Sequence, residues 1–281
     1  MIETSLAYLR SDAALTSLAQ SIYMPKWDSP WWHMVLLHEL GVADQIPRRV
    51  IDAMVAGLDA SSRDLDAETS DAFVPCHCAL GCMAQVLDAH DIVMPWFEAW
   101  FVRYQMADGG LNCDASAYAV VGECPSSMVG TVPALEAMLL GDPARWSPAR
   151  RAFVDRAAQC VIDRAFVRGS STKYNAEERD TAPSWQLLAF PRFYFYDVLR
   201  GMAAVARWAE LTGGAVPAEI WIDLPDKLAV QRDALAHVTR PTSRFPLLDE
   251  VSRIGARSEP LTRQWRETKA RIARSRRAAA R

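Results

Sequence analysis

Residues 75–90 read "PCHCALGCMAQVLDAH", a run with helical spacing and almost no polar face. A helix that is apolar nearly all round belongs in an interior. Three further stretches share this character: "PWWHMVLLHELG" (30–41), "PSSMVGTVPALEAMLL" (125–140) and "PRFYFYDVLRGMAAVARWAE" (191–210). Between them lie amphipathic, charged runs, among them "QIPRRVIDAMVAGL" (45–58), "SPARRAFVDRAAQCVIDRAF" (147–166) and "VPAEIWIDLPDKLAVQRDALAHV" (216–238). The apolar helices begin near residues 30, 75, 125 and 191, a spacing of roughly 45–65 residues. Such a helical-hairpin repeat buries its apolar faces only by stacking its units.

The periodicity predicts helices near 3–21, 30–40, 46–58, 75–89, 92–105, 126–140, 147–167, 191–211, 216–237 and 260–279. Ser147 and Pro148 are a helix-start pair, and Gly41 is a helix-stop signal. Strand-like alternation is confined to "YAVVGEC" around Val120. Two arrangements suit this pattern: an open solenoid, or a closed ring with the apolar helices inside. The inner candidates are too apolar for an open concave face. The expectation is therefore an all-α, single-domain α/α toroid over residues 1–281, with 1–24 as an outer N-terminal helix. Residues 240–281 are expected to form a closing segment and a basic C-terminal helix.

The chain is 51% hydrophobic and 23% charged, with a net charge of −3. This balance carries no basic field for nucleic acid. The basic run at the C-terminus reads as a solvated helix end. No apolar run reaches the ~18–20 residues of a membrane span, and the N-terminus lacks a leader pattern. A cytoplasmic location and no membrane span are expected. The six cysteines (76, 78, 82, 113, 124 and 160) are then expected as free thiols or metal ligands rather than disulfides.

"YQMADGGLNCD" (104–114) resembles the Q-x-x-DGG-x-x-C turn of terpenoid cyclases and protein prenyltransferase β-subunits. "FPRFYFYDVLRGM" (190–202) resembles a segment of small bacterial prenyltransferase-like or squalene-cyclase-like proteins, and "PCHCALGCMAQVL" falls where those carry a C-H-T-G-N run. The resemblance spans roughly residues 25–270. It implies the toroid, a small-molecule enzyme of secondary metabolism and transferase or cyclase chemistry. The D-x-D-D acid of polyene cyclases is absent, and "RDLDAE" and "LLDEV" are the nearest acidic runs. In prenyltransferases zinc is held by Asp, Cys and His. "GECPSSMVGT" (122–131) resembles their zinc-cysteine helix start, which would make Cys124 the ligand with Glu123 beside it. The His that completes the set has no counterpart near "FYFYD".

Helix-entry loops of a toroid gather at one mouth. Cys113, Cys124, His77 and Cys76 are the candidate ligands there for Zn²⁺, which accepts Cys and His in a tetrahedral set. Cys78 and Cys82 stand at i, i+4, where two ligands can also meet one metal. The alternative for any of these cysteines is a small buried hydrophobe. Asp114, Tyr194, Tyr196 and Asp197 are candidate catalytic residues. Trp31, Trp32, His33, Phe193 and Arg200 are candidate substrate contacts in an aromatic cavity for an apolar or amphipathic small molecule. A buried Asp197–Arg200 pair could hold a polar head group. Core packing is the competing reading for all of them, and for His38. The polar loop 167–185 is either a lid, with Lys173 and Arg179 gripping an anion, or a solvated connection. A non-catalytic toroid and an open peptide-binding repeat stay beside the enzyme as alternatives.

Overall fold

A computed structural model of the protein describes residues 1–62, 76–221, 244–251 and 253–279. Among the described residues the chain is helical with no strand, and Leu111 and Ser127 form an isolated bridge. The helices are α1 (Ile2–Leu9), α2 (Asp12–Gln20), α3 (Pro30–Leu40), α4 (Arg48–Ser62), α5 (His77–Asp88) and α6 (Pro95–Tyr104). They continue as α7 (Met128–Met138), α8 (Pro148–Asp163), α9 (Ala176–Thr181), α10 (Val198–Thr212), α11 (Leu248–Val251) and α12 (Glu259–Ala279). The "RDLDAE" run, Pro75 and nearly all of the helix expected over 216–237 lie outside the described residues.

Local signals explain most boundaries. The Ser147 hydroxyl accepts the Arg150 N–H at the start of α8, and Gly41 ends α3 at φ 78°. The single helix expected over 3–21 is two, because the Ser11 hydroxyl caps a fresh start by accepting Ala14 N–H. The helix expected from residue 191 begins only at Val198. Phe193 sits at φ 56°, outside the helical range, and Asp197 caps α10 by accepting Arg200 N–H. "YAVVGEC" is no strand: residues 115–119 form a 3₁₀ turn.

The four apolar helices contact one another in series: α3 on α5, α5 on α7, α7 on α10. The α5–α7 pair is the closest. A Cβ on Gly81 would lie 2.4 Å from the backbone of Pro133, so only glycine permits this approach. The amphipathic helices cover the series. α8 lies on α7 and α10, α6 on α5 and α8, α1 and α2 on α3, and α12 along α10. Trp31, Trp32, Phe101, Phe153 and Phe193 are among the largest fully buried side chains. Each contributes roughly 1.5–3 kcal/mol through its burial.

The segment before α10 turns back onto α3. The Glu39 carboxylate accepts the backbone N–H of Arg192 at 2.8 Å and also that of Phe193. This clasp joins the first and last apolar helices, and α12 reaches the same place through an Arg263 hydrogen bond to the Glu39 carbonyl at 3.3 Å.

Candidate functional site

Three thiols converge at the N-terminal end of α5. The sulfurs of Cys76, Cys78 and Cys113 all lie within 4.8 Å of one another, and those of Cys76 and Cys78 are 3.1 Å apart. Cys76 is the N-cap, with extended φ −63° and ψ 162°. That bend folds its side chain towards Cys78, two residues on. Cys113 arrives from the DGG turn, and the backbone N–H of Cys78 points at its sulfur at 3.4 Å.

The turn itself is tightly anchored. Gly109 has φ 87°, and a Cβ there would lie 2.2 Å from the Arg156 carbonyl. Asp108 accepts Gly110 N–H at 3.0 Å and Arg164 at 3.3 Å, and it also bonds the Ser126 hydroxyl. Asp108 thus ties the turn to α8 and sets where Cys113 leaves it.

The thiols share their ionisation. Cys76 is pulled down to about 3, chiefly because Cys113 and then Cys78 donate to its sulfur, with the Ala79 N–H of the helix start adding to this. Cys78 and Cys113 are pushed up, Cys78 first by burial and Cys113 first by its bond to Cys76. The trio therefore carries one shared negative charge. No lysine or arginine is among the groups that dominate it.

His77 lies between two of these cysteines but faces the other way. The Trp100 indole donates to Nδ1 at 3.0 Å, and Nε2 meets the Tyr118 hydroxyl at 3.0 Å. An indole N–H only donates, so Nδ1 is the acceptor and the neutral ring carries its proton on Nε2. Tyr118 then donates to the Asn112 carbonyl and accepts the Asn112 N–H. Burial lowers His77 to about 4. Both ring nitrogens are engaged, so His77 does not join the thiols as expected. It supports them, since the chain through Tyr118 holds Asn112 beside Cys113.

The other expected residues scatter. Cys124 stands apart from the trio, with Asp108 and Ala107 as neighbours. Glu123 accepts the backbone N–H groups of Lys173 and Tyr174, each at 3.1 Å. Asp114 is exposed and accepts the Tyr174 hydroxyl at 2.6 Å, which lowers its pKa. Tyr196 is buried and donates to the Phe166 carbonyl at 2.8 Å. His33 is buried against Tyr8 and Phe245, bonded to Ser5 and lowered to about 4 by burial. Trp31, Trp32 and Phe193 are at most 1% exposed. Phe193 packs on Trp32 and Trp27 at 5.5 Å. The aromatic wall expected around a cavity is largely packed on itself, with Phe193 also bordering a cavity beside Arg200. Tyr194 is the exception. It is half-buried beside Trp27, and the thiols are among the groups that raise its pKa after burial.

The loop 167–185 is fastened down. Buried Glu178 accepts Met128 N–H at the start of α7, Ser170 N–H at 2.8 Å and Arg164 at 3.0 Å. Arg179 donates to the carbonyls of Ser170 and Thr172.

A second polar region lies further along α5. Arg200 does not pair with Asp197 through its side chain. It pairs with Glu136 at 2.7 Å, while Asp197 pairs with Arg192 at 3.2 Å. Arg200 also donates to the carbonyls of Phe193 and Phe195 and to Cys82. Gln85 donates to Glu136 at 3.2 Å and makes a hydrogen-bonding contact with His38. His38, Gln85, Glu136 and Arg200 come from α3, α5, α7 and α10, so the polar chain takes one residue from each apolar helix. Cys82 belongs here, not with Cys78. These groups line a cavity of about 230 Å³ that α12 covers with Arg263, Gln264 and Glu267.

No family model, curated protein or solved structure matches the chain. No helix among the described residues is long and apolar enough to cross a membrane.

Proposed function

We propose that the chain is a small-molecule enzyme that uses a Zn²⁺ ion held by Cys76, Cys78 and Cys113, with transferase or cyclase chemistry. The observation that carries this reading is the convergence of the three sulfurs, all within 4.8 Å of one another. The donor set suits the ion: tetrahedral Zn–S bonds of ~2.3 Å place sulfurs about 3.8 Å apart, within the spread of this trio. Three protein ligands leave the fourth position free, the pattern of catalytic rather than structural zinc. When bound, zinc would act there as a Lewis acid towards a thiol or water. Cys76 supplies the first thiolate, the His77–Tyr118–Asn112 chain orients Cys113, and Tyr194 borders the thiols. The serial contacts of α3, α5, α7 and α10 and the Glu39 clasp support the α/α toroid as the scaffold.

The buried Trp31, Trp32 and Phe193 favour a second reading, a toroid that binds metal without catalysis.

The test is elemental analysis of the purified chain with Co²⁺ substitution. One equivalent of metal and thiolate-to-cobalt charge transfer are expected. Both should be lost in Cys76→Ser, Cys78→Ser and Cys113→Ser and kept in Cys124→Ser. A metal-free wild type that gives no cobalt–thiolate band ends the zinc reading. Metal retained with no turnover of any prenyl or thiol substrate favours the second reading.

A further inference from the structure

The cavity beside the polar chain has walls from five helices and no assigned occupant. Its charges balance. Arg192, Arg200 and Arg263 face it with Glu39, Glu136 and Glu267. Arg200 is paired to Glu136, Arg192 to Asp197 and Glu267 to Arg271. A bound anion would meet three glutamates and a bound cation three arginines. The lining therefore favours neither sign.

Hydrogen-bonding capacity remains in the same walls. Arg192 is only 8% exposed and its Nε is buried with no partner, as is the Gln264 Oε1. The first is a donor and the second an acceptor. His38 lines the cavity too, its pKa lowered by burial and its imidazole in hydrogen-bonding contact with Gln85. Buried polar groups left unpaired are costly, so a complementary occupant stabilises this arrangement. A hydroxyl group both donates and accepts, and it brings no charge. The volume of about 230 Å³ equals roughly eight water molecules at ~30 Å³ each.

We infer that this cavity is a binding site for a small uncharged polyhydroxyl molecule, of the size of a short polyol or a monosaccharide, gripped by Arg192, Gln264 and His38. The site is separate from the thiols and needs no metal, so it stands or falls independently of the zinc reading.

The experiment is a titration of the isotope-labelled full chain with ribitol, glycerol and glucose. It follows the Arg192 Nε–H, Gln264 amide and His38 ring signals by NMR. Succinate and putrescine serve as charged probes of similar length. Saturable shifts at all three side chains with at least one neutral probe are expected, with weaker or no binding of the charged pair. Gln264→Leu removes an acceptor that makes no hydrogen bond among the described residues, so it should fold as the wild type does. It should weaken binding about tenfold, the cost of one lost hydrogen bond. His38→Gln, which keeps a donor and an acceptor, should bind within a few-fold of wild type, checked by the same shifts. The inference is overturned if no neutral probe saturates, as for a cavity holding only water. Tighter binding of succinate or putrescine also overturns it, as does unchanged affinity in Gln264→Leu.

Discussion

The two ends of α5 hold polar groups in opposite states. At the middle of the helix and beyond, Arg200 uses all five of its donors, on both Glu136 oxygens, two carbonyls and Cys82. At the N-terminus, three sulfurs converge, and no lysine or arginine stands among the leading influences on their ionisation. A buried ion that finds its counter-ion in the fold is part of the architecture. A cluster of converging donors with no ion pair of its own among the described residues is a place for an ion from outside. The contrast separates structure from function more clearly than burial does, because both regions are largely buried.

The largest effect is expected at the satisfied end. Arg200→Ala strands the Glu136 carboxylate and should cost about 3–5 kcal/mol in urea unfolding. Cys113→Ser in metal-free protein should cost under about 1 kcal/mol in the same measurement, as a nearly isosteric change. Equal losses would erase the comparison.

Proton release sharpens it next. Cys76, with its pKa near 3, is already ionised at neutral pH, while Cys78 and Cys113 keep their protons. Zinc must then displace about two protons, so its affinity should fall about a hundredfold for each pH unit of acidification above the Cys76 titration. Calorimetry in buffers of different ionisation heat reads the number directly. Release of no protons would mean that the thiols are not the ligands.

Gly81→Ala should push α5 off Pro133 at a cost of about 1–3 kcal/mol, since neither backbone can yield cheaply. Because α5 carries both regions, cobalt–thiolate absorption should shift along with stability. A stability loss with an unchanged spectrum would show the thiol end to be held by its own loop alone.

The smallest effect is expected at Tyr118→Phe. It removes the hydroxyl that links His77 to Asn112, at about 1 kcal/mol of stability. Metal affinity should drop about tenfold, as for other supports behind a metal ligand. His77→Gln should behave similarly if the ring is a support, and should abolish binding if it is a ligand.

The apolar helices were legible because continuous apolar character has one physical outcome. Their polar members were not. His38, Gln85, Glu136 and Arg200 each look like a solitary polar residue in an apolar run, and only the stacking of four helices makes them a chain. Cys76 and Cys113 were legible as helix-entry thiols. Cys78 and Cys82 do stand at i, i+4 inside α5, but Cys82 is engaged by the Phe193 carbonyl and Arg200. The extended Cys76 backbone brings i and i+2 together instead. His77 carried no sequence signal of its direction, because that direction depends on Trp100 and Tyr118 from distant segments. The delayed start of α10 was hidden for a similar reason. Phe193 leaves the helical range where Glu39, more than 150 residues earlier, takes its N–H.

That Glu39 clasp also bears on how the chain finds its fold. Its two bonds span sequence separations of 153 and 154 residues. Closing so long a loop carries an entropic cost that two hydrogen bonds do not meet by themselves. The hairpins between must pack first and shorten the effective loop. The clasp is therefore a late event on the folding route, and Glu39→Gln should leave early helix formation untouched while speeding unfolding.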